Sequence, residues 1–260
     1  MSDVFFLPGT AGPLLAVHWP GRAQRQPVLL LPPLLEELNK SRRQLNQLAR
    51  ALHGAGHGVL LVDWFGTGDS AGDLANASWS QWQADVASAR AFLQQQYAQR
   101  PALCAIRGGA LLLPEHADCD WLLCAPILTG QQQLNQWLRL KLMAARMAGE
   151  SLNNEQLLAQ IAAGGVEIAG YLLTAALVEP LRTVSISAPA GSLEIFEIGA
   201  GEQPLPALQT LLNGQLQHWH PIAGDAFWQT TEISTCPALD QSVLQALAAR
   251  ADATVSEAIV

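Results

Sequence analysis

The sequence predicts an α/β protein: a mostly parallel eight-stranded sheet flanked by helices, with a helical insert in its second half. Three observations predict it. Continuously apolar runs, among them PVLLLPP (27–33), GVLLVDWF (58–65) and ALCAI (102–106), alternate with segments of helical periodicity. Such runs are strands buried on both faces, as in a parallel sheet covered by helices. Residues 131–190 break that alternation with helical pieces alone. Strand-like runs then return at SLEIFEIG (192–199) and LQHWHPIAG (216–224).

In chain order, VFFLP (4–8) and PLLAVHWP (13–20) read as an opening antiparallel hairpin, and PVLLLPP as the third strand. Leu45, Leu48 and Leu52 have helical spacing, and Gly54 and Gly56 end that helix. The fourth strand is GVLLVDWF. Ser78 then caps a helix with Trp79, Trp82, Val86 and Phe92 near one face. A strand at ALCAIRG, a short helix at GALLLPEHA (109–117) and a strand at CDWLLCAPIL (119–128) follow. The long helix at 131–149 is amphipathic through Leu134, Trp137, Leu138, Leu142 and Met143; it suits a cover over the sheet edge, and also a dimer or membrane-facing surface. The chain closes with helices near 205–214 and 237–251. This order is that of an α/β-hydrolase fold in one domain, 1–260, with residues 131–190 as its cap.

Composition narrows the function. Half of the residues are apolar, 14% are charged and the formal net charge is −8, so nucleic acid is excluded as a natural partner. No apolar run reaches the length of a membrane span, and the N-terminus has no signal-peptide pattern. Cys104, Cys119, Cys124 and Cys236 lack metal-type spacing and read as reduced thiols of a cytoplasmic protein. His218 and His220 lie two apart on one strand face, with no acidic or cysteine partner at metal-ligand spacing in the sequence. No motif calls for a cofactor.

Residues 68–72, GDSAG, match the G-x-S-x-G turn that carries a nucleophilic serine, yet Ser70 is a weak candidate. That turn leads from a strand straight into a helix. Here the strand ends near Asp63 and the next helix begins near Ser78. The position with strand, tight turn and helix is Ala105-Ile106-Arg107-Gly108-Gly109, and its nucleophile place holds Arg107. A guanidinium stays protonated and cannot attack. The place of the histidine, before Phe227, holds Ala226. Glu202, after the seventh strand of the fold, is left as a weak candidate acid without a triad to complete.

The runs EELNKSRRQ (36–44), VDWFGTGDSAGD (62–73), IRGGALL (106–112), APILTGQQQLNQWLRLKL (125–142) and GDAFWQTTE (224–232) resemble the second type of exosortase A system-associated hydrolase. The resemblance spans most of the chain. It implies an α/β-hydrolase fold, an arginine at the elbow as that family's own feature, and a setting among exopolysaccharide and protein-sorting functions. LPPLLEEL (31–38) departs from it where a histidine is expected.

Arg107 at the ends of the strands beneath a cap is expected to attract an anion, a carboxylate, phosphate or uronate of a saccharide or acyl precursor. An internal ion pair with Glu36, Glu37, Asp69 or Asp225 is the other reading. Gly108 belongs to the same turn. Asn39 and Ser41 are candidate N-caps of the first helix, and Lys40, Arg42 and Arg43 place positive charge at its start, against the helix dipole. Pairing with Glu36 and Glu37, or the grip on a ligand or partner protein, explains them equally. Trp121, Trp137, Trp219 and Trp228 suit core packing or an aromatic wall. Three functions remain open: a silent pocket binding a small anion, a hydrolase with an unusual nucleophile such as Ser70, and an interaction module docking through its cap.

Overall fold

The computed structural model describes residues 1–114, 119–199 and 201–257. Its main sheet has eight strands in the order β1-β2-β4-β3-β5-β6-β9-β10. Strands β1 (Asp3–Pro8) and β2 (Pro13–Trp19) form an antiparallel hairpin, and β2 pairs antiparallel with β4. All remaining pairings are parallel: β3 (Val28–Leu31), β4 (Val59–Val62), β5 (Ala102–Ile106), β6 (Trp121–Cys124), β9 (Leu193–Ile198) and β10 (Trp219–Ile222). β3, β5 and β6 are buried throughout, because helices cover both faces.

Helices α1 (Glu36–Gly54) and α7 (Pro237–Glu257) belong to one layer; Leu45, Leu48, Leu52, Leu239 and Val243 pack there with the strand residues Leu30 and Phe196. Helix α2 (Trp79–Gln96) lies in the other layer with Trp79, Trp82, Val86 and Leu93. The Ser78 hydroxyl caps α2 by accepting from the Gln81 N–H at 3.2 Å.

Between β6 and β9 lie α3 (Gly130–Met147), α4 (Asn154–Ala163), the hairpin β7 (Val166–Ile168) and β8 (Tyr171–Leu173), and α5 (Ala175–Leu181). The hairpin corrects the expectation of helical pieces alone. Its strands have three residues each, too short for a periodic signal, and its turn uses Ala169 (φ 50°) and Gly170 (φ 85°). An alanine there hides a turn that Asn-Gly would announce. Helix α6 (Pro206–Leu212) connects β9 to β10.

Two further expectations are corrected. The helix after β5 is a six-residue 3-10 turn, Arg107–Leu112, and residues 115–118 of the expected segment lie outside the described residues. Helix α1 starts at Glu36, so neither Asn39 nor Ser41 caps it. Ser41 is buried and donates to the Glu37 carbonyl, and Asn39 donates to the Tyr171 hydroxyl at 2.6 Å. The first turn therefore carries Glu36 and Glu37, which favour the helix dipole, and the basic run falls one turn later.

Candidate functional site

The candidate site is the turn from β5 into the 3-10 segment Arg107–Leu112. Arg107 stands there with φ 54°, one of five non-glycine residues in the left-handed region among the described residues. A side chain in that conformation costs about 1–2 kcal/mol, so the surrounding packing must impose it. The packing is tight: a Cβ at Gly109 would run into the carbonyls of Leu31 and Pro32, and one at Gly108 into Gln133 of α3. Small residues follow Arg107 because the β3 end and α3 leave no room for larger ones.

The guanidinium is 8% exposed as a residue and its donors are mostly taken. Nη2 donates to Glu37 Oε1 at 3.1 Å and to Gln136 Oε1 at 3.2 Å. Nε faces both carboxylate oxygens of Glu37 at 3.3–3.4 Å, and Nη1 donates to the Ala125 carbonyl at 3.2 Å. Its plane lies over the Trp228 ring, 4.8 Å from the centroid. Of the four acids expected to meet Arg107, the structure selects Glu37. Asp69 and Asp225 are exposed, and the Asp63 carboxylate pairs with Arg42 at 3.2 Å. Glu36 lies beside the pair, at a cleft shared with Lys40, Arg139 and Trp228.

Burial pushes the Glu37 carboxyl above the ordinary carboxylate range, and the Arg107 charge pulls against that rise. Burial also lifts Glu36, to about 7, with the Glu37 charge adding to it.

Ser70 lies elsewhere, on the loop after β4. Its hydroxyl accepts from Leu15 N–H at 2.8 Å and donates to the Asp63 carbonyl. Gly66 (φ 76°) and Gly68 (φ 54°) let the loop fold back, and a Cβ at Gly68 would strike the Asp63 carboxylate. Glu202 is exposed.

A pocket of about 230 Å³ opens beside Arg107. Its walls are Ala125, Pro126, Leu128, Ile198, Leu205, Ala207, Leu208 and Trp228, with Gln132, Arg107 and Glu197 as the polar members. Glu197 carries no motif in the sequence. Its place near the C-terminal end of β9 was the available signal, since ligands sit at that edge of parallel sheets. Trp219 opens β10 and gives its indole N–H to Glu197 Oε2 at 2.8 Å.

His218 and His220 share an acidic partner, but only His220 lies on β10; His218 ends the 3-10 turn Leu216–His218 before it, which corrects the expectation that both lie on one strand face. Both contact Glu194, at 3.0 and 2.7 Å, and Arg250 meets the same carboxylate at 3.3 Å. The parallel register of β9 and β10 sets His220 beside Glu194 across 26 residues of chain, and the 3-10 turn before β10 places His218 there across 24. Among the described residues no group of three or more His, Cys, Asp or Glu side chains is arranged to hold a metal ion. No helix among them is long and apolar enough to cross a membrane.

The sheet order, the left-handed residue after β5 and the insert after β6 define an α/β-hydrolase fold. Solved structures agree. The structure of Est1E from Butyrivibrio proteoclasticus with ferulic acid bound is 12% identical, with a TM-score of 0.64 over 94% of this chain and 99% of that chain. DcsB in complex with its substrate analogue is 10% identical, with a TM-score of 0.60 over 95% and 98% of the two chains. An alpha-beta serine hydrolase homologue from Coxiella burnetii is 12% identical, with a TM-score of 0.52 over 94% and 95%. No protein-family model matches the sequence, and no curated protein matches it. The likeness establishes the fold and not the exosortase-associated type.

Proposed function

We propose that the protein is a non-hydrolytic small-molecule-binding member of the α/β-hydrolase fold, which holds its ligand in the pocket between Arg107 and Trp228. One observation carries the reading. The strained turn that presents the attacking oxygen in this fold presents a buried guanidinium, held by Glu37, Gln136 and the Ala125 carbonyl. Such a group supplies neither a nucleophile nor a base. Ser70 has its hydroxyl engaged by two backbone groups on a loop, which supports a structural role.

The lining supports a ligand with an apolar body, closer to an acyl compound than to a sugar. Its size, about 230 Å³, is below the roughly 300–1,000 Å³ usual for drug-sized ligands. An anion at Arg107, the expectation from sequence, has to compete with Glu37. The four buried free cysteines support a cytoplasmic setting. Partnership with exopolysaccharide or sorting machinery is supported only by the resemblance of residues 36–44, 62–73, 106–112, 125–142 and 224–232.

The test combines turnover and binding. Hydrolysis of p-nitrophenyl acetate is expected at the buffer rate for the wild type and for Ser70→Ala. Short-chain alkyl compounds are expected to change Trp fluorescence in the wild type and not in Leu208→Trp, which fills the pocket. Saturable ester turnover lost in Ser70→Ala overturns the reading.

A further inference from the structure

The charges around the pocket do not balance. Arg107 is neutralised by Glu37 at 3.1 Å, which leaves Glu197 as the remaining charged group on the pocket wall. Glu197 is 9% exposed as a residue, and Oε2 accepts the Trp219 indole N–H at 2.8 Å. No ion pair to Glu197 is present among the described residues. A nearly buried carboxylate with one neutral donor is under-compensated, because desolvation of a charge is offset fully only by an opposite charge or by several hydrogen bonds.

We propose that Glu197 selects the ligand's head group: the pocket takes a small amine, with its ammonium on Glu197 and its hydrocarbon body among Leu128, Ile198, Leu205 and Leu208. A carboxylate head meets the opposite situation. It faces Glu197, and the Arg107 charge it would seek is already matched by Glu37 at 3.1 Å. This inference rests on the binding reading above and names the chemical class that reading leaves open.

Isothermal titration at pH 7.5 with hexylamine, hexanol and hexanoate tests it, since an alkylamine is protonated there. Hexylamine is expected to bind at least tenfold more tightly than hexanoate, with an affinity that falls as salt rises. Glu197→Gln is expected to bring hexylamine down to the affinity of hexanol, and the exposed control Glu232→Gln to leave all three unchanged. If Glu197→Gln does not fold, the salt dependence of hexylamine against hexanol in the wild type decides. Hexanoate binding as well as hexylamine overturns the amine assignment and leaves the pocket reading standing. Binding of none of the three overturns both.

Discussion

Arg107 Nη2 lies 3.1 Å from Glu37 Oε1, both side chains no more than 10% exposed, and this pair joins the elbow turn to the first turn of α1. Removing one partner strands a buried charge, at a cost of about 3–5 kcal/mol. Arg107→Met and Glu37→Leu are each expected to lower unfolding stability by about that amount in urea. The double variant is expected to recover most of the loss, because an apolar pair of similar volume needs no counter-charge. Additive losses in the double variant contradict the pairing.

Ser70 ties the loop after β4 to β2 through Leu15 N–H and to β4 through the Asp63 carbonyl. Ser70→Ala leaves both backbone groups short of a partner, which costs roughly 1–3 kcal/mol. A lowered melting temperature is expected, with pocket binding unchanged at a temperature where the variant is folded. Unchanged stability contradicts the structural role.

Asp240 is lifted to about 6 by burial near the start of α7, with the Gln44 amide donating to it at 2.6 Å and pulling the other way. The folded protein thus holds this proton more tightly than the unfolded chain. The contribution to stability is present below the ordinary value of 3.8 and is lost as pH rises through about 6. Asp240→Asn keeps the Gln44 contact and cannot ionise. It is expected to match the wild type at pH 4 and to be the more stable protein at pH 8. Parallel stability curves across that window contradict the assignment.

Glu194 serves three donors at once: His218, His220 and Arg250. Burial opposes its ionisation, and the hydrogen bonds from His220 and His218 outweigh that, so its pKa is held below the ordinary value. Its stabilisation is present above the ordinary carboxylate pKa and is lost as pH falls through the lowered one. Glu194→Gln is expected to lower the melting temperature at pH 7 and to lose less than the wild type on acidification.

Much of this is legible in the sequence, and the gaps have definite causes. β3, β5 and β6 announced themselves because burial on both faces leaves no polar position to blur the run. Arg107 stands out from the strand and turn around it, not from the five letters of GDSAG. Its partner was not resolved, because Glu36 and Glu37 are adjacent and one residue rotates a helix by about 100°. The helix start decided between them, and no serine or asparagine marks it: the cap position is Leu35, with φ 54°. Glu197 and the Glu194 cluster were out of reach for another reason. Both depend on the register of β9 against β10, which joins residues more than twenty positions apart.

On the proposed reading, a guanidinium stands in place of the attacking group at the elbow. Intact-mass analysis after incubation with a fluorophosphonate, which modifies activated serines of hydrolases, tests it most directly. The unmodified mass is expected throughout. A stoichiometric adduct, on Ser70 or on any other residue, contradicts it.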